Sequence, residues 1–321
     1  MTSVKPLRLG TRGSKLALTQ SQMVADELTL ATGRAVELVR IVTPGDTSSA
    51  PVAQLGVGVF VSALRDALVA GEIDFAVHSY KDLPTAEHPR LTIPAIPRRE
   101  DPHDVLVARD GRGLADLPPG SLVGTGAVRR IAQLRALGLE LQVTPIRGNI
   151  DTRIARVLGP DADLDAVILA RAGIARIGRT ADITQTLDPM LMLPAPAQGA
   201  LAVECRSGDA DLVELLATLD HAPTRAAVVA ERALLATLEA GCAAPVAAYA
   251  RLVRGRHAGS APEDGRGEEM IHLRGAVISP DGVRAIRLSR TGTPAGAAEI
   301  GKALAADLLD AGADTLMGST E

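Results

Sequence analysis

One heptapeptide, His78-Ser79-Tyr80-Lys81-Asp82-Leu83-Pro84, concentrates side chains that could transfer protons or bind charged groups. It follows Ile73–Val77, an apolar run that predicts a buried strand. Before that run, residues 60–69 predict a helix that Gly71 ends in a left-handed conformation. The heptapeptide should therefore leave the carboxyl end of a strand in an α/β unit, where open sheets collect ligands. Alone, it could equally be a solvated loop in which Asp82 balances Lys81.

Arginines recur beside further predicted strand ends. Strand Leu122–Ala127 runs through Gly124-Thr125-Gly126 into a helix, an arrangement that offers backbone amides and a helix dipole to an anion. A guanidinium can bind a carboxylate through two hydrogen bonds, which a lysine cannot do. The pattern therefore predicts a cleft for a small ligand with several carboxylates or phosphates. The arginines concerned are Arg12, Arg129, Arg130, Arg147, Arg153, Arg171 and Arg176.

Composition excludes several classes of function. A formal charge of −4 and 1% aromatic residues argue against nucleic acid as a partner. No apolar run approaches the roughly 18 residues that span a bilayer, and residues 1–6 lack the apolar core of a signal peptide. We therefore expect a cytoplasmic chain with no membrane partner. The 6 histidines show no metal-ligand spacing, so we expect no metal.

The order of predicted elements indicates an α/β chain with two crossovers, near residues 98–104 and 194–199. Length allows two or three domains in 321 residues. We place a discontinuous domain 1 at residues 1–98 and 198–219, domain 2 at 104–193 and domain 3 at 220–321. Domain 3 predicts strands near residues 246–252, 271–278 and 284–288 and a helix at 297–309. Segments 43–59 and 254–268 predict mobile loops, the first a flap over the cleft.

The two cysteines have different surroundings. Cys205 lies in the predicted strand Leu201–Cys205, which is typical of a small core residue. Cys242 follows Gly241, the predicted end of a helix at residues 224–240, and so sits in a loop. That position leaves inert packing, covalent attachment and redox chemistry all open.

Taken together, the motifs resemble the hydroxymethylbilane synthase (porphobilinogen deaminase) family along nearly the whole chain. No single stretch decides this, but their order and spacing do. The matching stretches are Gly10 to Ser14, Ala76 to Pro84, Arg99 to Pro102, Val123 to Thr125, Arg129-Arg130, Ile146 to Arg153, Ile168 to Gly173, Gln198 to Ala200, Glu204 to Arg206 and Glu239 to Pro245.

The resemblance implies two periplasmic-binding-protein-like doubly wound domains plus a small C-terminal α+β domain. It implies a monomeric transferase that joins four porphobilinogen units head to tail and releases hydroxymethylbilane and ammonia, in tetrapyrrole (haem) biosynthesis. One dipyrromethane cofactor per chain would be held by Cys242 through a thioether, with Asp82 as the catalytic acid. Other implied cofactor contacts are Ser79, Lys81, Thr125, Arg129, Arg130, Arg147, Gly148, Asn149 and Gly173; implied substrate contacts are Arg12, Ser14, Gln20, Arg153, Arg176 and Gln198.

The sequence departs from the family pattern at several positions. Gly126 and Ala127 stand where serines are common, so hydroxyl contacts to a carboxylate are missing. Pro44 and His103 replace frequent arginines, and residues 56–58 lack a common flap lysine. Two other functions remain open at this level. One is a non-catalytic small-carboxylate binding protein of the same architecture, and the other is a phosphate-binding transferase built on Gly124-Thr125-Gly126.

Overall fold

The computed structural model describes residues 5–42, 59–238, 245–255 and 268–317. These residues form two compact units. Unit 1 comprises Met1–Pro102, Arg171–Ala181 and Gln198–Ala222, and unit 2 comprises His103–Ala170, Asp182–Ala197 and Pro223–Glu321. The three domain boundaries expected from the sequence stay a prediction.

Unit 1 alternates strands and helices in the way that the hydrophobic pattern predicts. Its strands are β1 (Leu7–Thr11), β2 (Val36–Arg40), β3 (Phe75–Ser79), β4 (Leu91–Ala95) and, later in the chain, β10 (Leu201–Arg206). Its helices are α1 (Lys15–Thr32), α2 (Val59–Ala70), α5 (Arg171–Arg176) and α6 (Ala210–Ala217).

Local signals fix the ends of α1 and α2. The Ser14 hydroxyl accepts a hydrogen bond from the Ala17 amide, and this N-cap begins α1. Gly33, with φ of 71°, ends it by donating its N–H to the Thr29 carbonyl. Gly71, with φ of 75°, follows α2 in the predicted left-handed conformation.

The sheet of unit 1 has the strand order β2-β1-β3-β10-β4, in which β10 is antiparallel to both neighbours. One face carries α1 and α6 over a core that includes Leu28, Phe75 and Val203. The other face carries α2 over Leu64, Leu68 and other apolar residues. Helices on both faces of a mainly parallel sheet make this a doubly wound layer.

Unit 2 repeats this arrangement. Its strands are β5 (Asp104–Ala108), β6 (Leu122–Thr125), β7 (Gln142–Pro145), β8 (Ala166–Ala170) and β9 (Gln185–Thr186), with helices α3 (Val128–Ala136) and α4 (Ile150–Leu158). The order is β7-β6-β8-β5-β9, and β5 takes the place that β10 has in unit 1. The antiparallel strand is in each case the one that the chain adds on crossing between units.

The C-terminal part of unit 2 is a three-stranded antiparallel sheet with helices. It contains α7 (Ala222–Thr237), β11 (Val246–Gly255), β12 (Glu268–Ile278), β13 (Ala285–Gly292) and α8 (Ala297–Asp310). Leu234, Leu273 and Leu304 belong to the core between the sheet and the two helices. On the other face, Ala276 and Ile278 pack with Ala132 of α3. The expected fold class, two doubly wound domains plus a small α+β domain, is confirmed.

The boundary of β3 differs from its prediction. The strand begins at Phe75 and continues through Ser79, so the first two residues of the heptapeptide lie inside it. Pairing with β10, where Leu201 faces Ser79, extends the strand. This partner lies more than 100 residues away in sequence, and so local patterning could not reveal it.

Two further findings concern the described residues as a whole. Within them, no helix combines the length and apolar character needed to cross a membrane. They also contain no group of three or more His, Cys, Asp and Glu side chains arranged to hold a metal ion.

Gly301 is required by the close approach of α8 to α7. A Cβ there would lie 2.3 Å from the Ala230 carbonyl oxygen, closer than van der Waals contact permits. We expect Gly301→Ala to lower the free energy of unfolding by about 1–3 kcal/mol, measured by urea denaturation, because the helices must move apart. Gly208→Ala is the control, since a Cβ at Gly208 meets no atom within 4 Å. Equal stability of the two variants would contradict this packing argument.

Candidate functional site

In unit 1, the heptapeptide places its polar groups at the end of β3. Gln20 of α1 donates to the Ser79 hydroxyl over 3.1 Å, so two predicted site residues are in contact. Tyr80–Asp82 then form one turn of 3-10 helix. Within the described part of the chain, Asp82 is exposed and its carboxylate has no hydrogen bond or ion pair. A carboxylate in that state is available to an incoming ligand.

Gln198 holds this turn from the second crossover. Its side chain is fully buried, donates to the Pro102 carbonyl over 2.7 Å and accepts from Lys81 Nζ over 3.4 Å. Its own carbonyl accepts from Arg99 Nε over 2.7 Å. Gln198 therefore orients Lys81 in this structure, and its predicted contact with substrate stays a prediction.

Arg176 lies in the same unit, at the end of α5. Its Nη2 donates to the Gly199 carbonyl over 2.7 Å, while its Nε is buried without a hydrogen bond among the described residues. Burial lowers the pKa of Arg176 to about 10, although Glu100 acts in the opposite direction. Gly199 has φ of 86°, and a Cβ there would meet the Glu100 carbonyl at 2.4 Å. Only glycine fits this crossover.

The remaining predicted residues of unit 1 have simpler positions. Arg12 follows β1 and is half-buried. The Ser14 hydroxyl oxygen accepts the α1 cap bond, and its O–H group can still donate to a ligand. Gly173 is buried within α5, which packs against α1. Arg12, Ser14, Gln20, Ser79 and Arg176 thus belong to one unit.

In unit 2, the paired arginines at the start of α3 share one carboxylate. Asp104 is fully buried; its two oxygens lie 2.7 Å from Arg129 Nη1 and 2.8 Å from Arg130 Nη2. Arg129 Nη1 also donates to the Leu193 carbonyl, and Arg130 Nη1 to the Ile168 carbonyl. Two cations and one anion leave this cluster with a net positive charge.

The electrostatics of the cluster favour its charged form. Burial raises the pKa of Asp104, but the charges and hydrogen bonds of Arg129 and Arg130 outweigh it, so the pKa lies well below its usual value. Burial also lowers the pKa of Arg129, opposed by Asp104. Asp104 was not among the residues that the sequence singled out. The sequence did contain an indication of its role, because Asp104 is the one acidic residue of the otherwise apolar run Asp104–Ala108. A buried strand tolerates a carboxylate only where a cation pairs with it.

Arg153 adds a further cation beside this cluster. Burial lowers its pKa, and the charges of Arg130 and Arg147 lower it further. Its Nε donates to the Gly148 carbonyl over 2.8 Å. Gly126 faces it, and a Cβ there would lie 2.9 Å from the Ile146 carbonyl oxygen and 3.3 Å from Arg153 Nη1. The absence of a side chain at residue 126 thus lets the guanidinium approach the end of β6.

The end of β6 and the start of α4 complete the unit 2 site. The Thr125 hydroxyl is buried and has no hydrogen-bond partner among the described residues. Arg147, Gly148 and Asn149 are exposed in the turn before α4, and Asn149 caps that helix by accepting from the Thr152 amide over 2.8 Å. Guanidinium groups, a helix N-terminus and an unsatisfied hydroxyl suit a carboxylate-rich ligand. The residues present therefore fit a cofactor that bears carboxylates.

The predicted residues thus fall into two groups, one in each unit. Unit 1 holds Arg12, Ser14, Gln20, Ser79, Lys81, Asp82, Gly173, Arg176 and Gln198; unit 2 holds Thr125, Arg129, Arg130, Arg147, Gly148, Asn149 and Arg153. Cys242 and most of the predicted flap lie outside the described residues. Cys205 is confirmed as a core residue, and burial raises its pKa to about 11.

The buried Asp104 cluster should make stability depend on pH. Because the folded pKa is depressed, the ion pairs stabilise the fold above the unfolded pKa of about 3.9 and lose effect as pH falls below it. We expect Asp104→Asn to lose about 3–5 kcal/mol at neutral pH, since two buried cations lose their counter-charge. The difference in free energy of unfolding between Asp104→Asn and wild type, measured by urea denaturation, should become smaller below about pH 4. Asp163→Asn, at an exposed pair with Arg156, is the control and should cost far less. A stability difference that does not change with pH would contradict the stabilising role of the Asp104 ion pairs.

Comparisons with known proteins give the family. The family model described as "Porphobilinogen deaminase, dipyromethane cofactor binding domain" matches residues 7–214, and "Porphobilinogen deaminase, C-terminal domain" matches residues 225–310. The chain is 62% identical over 312 residues to the porphobilinogen deaminase of Nocardia farcinica, covering 97% of this chain and 88% of that protein. It is 59% identical over 311 residues to that of Mycobacterium tuberculosis, covering 97% and 98%.

Solved structures resemble the chain more distantly. One is a periplasmic substrate-binding protein of an ABC transporter from Coxiella burnetii, 14% identical with a TM-score of 0.42, covering 66% of this chain and 91% of that one. The assignment therefore rests on the sequence matches, which do not favour a non-catalytic binding protein. On their extent and identity, the chain belongs to the porphobilinogen deaminase family.

Proposed function

We propose that this chain joins four porphobilinogen units head to tail on a dipyrromethane primer and hydrolyses off hydroxymethylbilane, releasing ammonia at each addition. The observation that carries the proposal is the cation cluster of unit 2. Burial lowers the pKa of Arg153, and the charges of Arg130 and Arg147 lower it further, so the three guanidinium groups lie close enough to repel one another. Repulsion between these arginines destabilises the free protein, and a bound polyanion would relieve that repulsion. Porphobilinogen carries two carboxylates, so the chain grown from it is such a polyanion.

In this proposal the residues of unit 2 hold the primer. Arg147 would pair with its carboxylates from the exposed turn before α4, and the Thr125 hydroxyl would find there the partner that it lacks among the described residues. Arg129 and Arg130, fixed at the start of α3 by Asp104, would add positive charge beside the carboxylates of the primer. Arg153 would contact substrate beside Gly126. When bound, the primer would supply the nucleophilic pyrrole carbon for the first addition.

The residues of unit 1 would act on the incoming substrate. Asp82 would accept hydrogen bonds from the pyrrole N–H groups, stabilise the positive charge that develops as ammonia leaves and relay a proton to the departing amine. Lys81, which Gln198 holds, would bind carboxylates beside it. Arg12 and Arg176 would bind the carboxylates of the substrate, with Gln20 supporting the Ser79 hydroxyl.

Cys242 would attach the primer as a thioether, one per chain. This rests on the sequence around it, Glu239 to Pro245, and on the exclusion of the other cysteine. Cys205 is buried, and its raised pKa keeps it as an unreactive thiol. We further propose that the chain acts in the cytoplasm as a monomer, with the three domains bounded as the sequence predicts.

Intact mass tests the attachment. The purified protein should be heavier than its sequence by two linked pyrrole units, and it should colour with an aldehyde reagent for pyrroles. Cys242→Ser should lose both properties, because no other thiol is accessible, while the matched Cys205→Ser should keep both. An adduct that persists in Cys242→Ser would overturn the assignment.

Asp82→Asn tests the catalytic role. The change keeps the shape of the side chain but removes its charge, so substrate binding should persist while single-turnover elongation falls by roughly two orders of magnitude or more, as loss of a transition-state contact does. Bound intermediates can be counted by mass. Glu87→Gln, at an exposed carboxylate five residues further on, is the control and should elongate at the wild-type rate. If Asp82→Asn also elongated at the wild-type rate, a group other than Asp82 would be the catalytic acid.

A further inference from the structure

A second buried ion-pair network lies in unit 1, directly behind the strand end that carries Ser79. Glu204 of β10 accepts from Arg65 of α2, with Nη2 at 2.8 Å and Nε at 3.0 Å from Oε1. His78 Nε2 lies 3.1 Å from the other carboxylate oxygen, although its angle is poor for a hydrogen bond. The side chains of Arg65, Glu204 and His78 are 14%, 2% and 4% exposed.

The sheet register brings these groups together. Antiparallel pairing of β3 and β10 places Ala202 opposite His78 and Glu204 opposite Ala76. His78 and Glu204 are thus diagonal neighbours on one face of the sheet. That face is the one that α2 covers, and its other buried residues are apolar, including Leu64, Leu68 and Ile73.

This network is charged rather than neutral. Burial raises the pKa of Glu204, but His78 and Arg65 lower it by more, so the group remains a carboxylate. Fixing two charges and a ring in an apolar layer seldom adds stability, because desolvation offsets the attraction. Apolar side chains of the same size would serve the fold as well. What the network adds is a defined orientation of the His78 side chain, because the ion pair with Arg65 fixes Glu204 and Glu204 contacts His78.

The position of His78 affects the turn that follows it, Tyr80–Asp82. His78 is bonded in sequence to Ser79, and the Tyr80 amide donates to the Ala200 carbonyl of the segment that enters β10. The path from Arg65 through Glu204 therefore ends at His78, two residues before the turn Tyr80–Asp82. Both ends of the path are carried by regular elements, α2 and β3, which can transmit position.

We propose that Glu204 is a positioning residue that, through His78, sets the direction of the strand end presenting Asp82 to the substrate, and that Arg65 holds Glu204 in place. The inference rests on the proposed function, because it concerns the same reaction. It predicts that the network affects the chemical step and leaves the binding of substrate unchanged, since Glu204 and His78 are buried and Arg65 directs its guanidinium at Glu204.

The test replaces the charges without leaving one unpaired. In Arg65→Met/Glu204→Leu the volume of the layer is kept, so thermal unfolding should stay within about 4 °C of wild type. The adduct on the protein should remain by intact mass. The rate of single-turnover elongation should fall at least about tenfold while KM changes less than about twofold, as expected for a misplaced catalytic group.

A matched control lies at the other end of the same strand. Arg8 and Asp74 form an ion pair 2.8 Å long, with Asp74 directly before β3. Arg8→Met/Asp74→Leu should keep the wild-type elongation rate, because that pair is at the end of the strand remote from Ser79. Equal losses in both double variants would overturn the proposal, as they would indicate a general effect of charge removal.

A second variant decides the matter if the first fails to fold. His78→Leu leaves Arg65 and Glu204 paired with each other, so no buried charge loses its partner. It should show the same loss of rate with the adduct and KM retained. A full wild-type rate in either folded variant, or a loss confined to KM, would overturn the positioning role. If wild type itself produced no hydroxymethylbilane, the proposed function would fail instead.

Discussion

The carboxylate of Asp104 lies at the point where β5 begins, and it pairs with two guanidinium groups that would otherwise be buried together. Without it, Arg129 and Arg130 would repel each other across a few ångströms in a poorly solvated layer. With it, both are fixed at the start of α3, and a net positive charge remains. Burial lowers the pKa of the neighbouring Arg153, and the charges of Arg130 and Arg147 lower it further.

Unit 1 meets a related requirement with different chemistry. Its polar turn at residues 80–82 is oriented by a buried amide, Gln198, and the strand before the turn carries His78, which lies 3.1 Å from a buried carboxylate, Glu204. In both units the buried polar group belongs to the antiparallel strand of the sheet or to the segment leading into it. That strand is the one that the chain contributes after a crossover. The site therefore depends on long-range connections, and the local loops alone could not place these side chains.

The two sheets share one strand order, and the reaction that we propose needs both. One unit offers arginines for a polyanionic primer, and the other offers an exposed carboxylate, Asp82, for proton transfer and charge stabilisation. The departure at Gly126 does not weaken this division. Gly126 has no side chain, and so the Arg153 guanidinium can lie close to the end of β6. A glycine there removes the hydroxyl contact that a serine would offer, but it brings a cation nearer.

The sequence by itself determined most of the helices and strands, the α/β alternation and the polar residues at the strand ends. These follow from hydrophobic periodicity and from local caps such as Ser14 and Gly33, whose effects act over a few residues. Only the tertiary structure decided the partners of the buried charges. Asp104 meets Arg130 and Glu204 meets Arg65 across 26 and 139 residues of sequence, and a carboxylate in an apolar run does not indicate which distant cation it requires. Pairing of that kind arises from packing and sheet register, which no local pattern encodes.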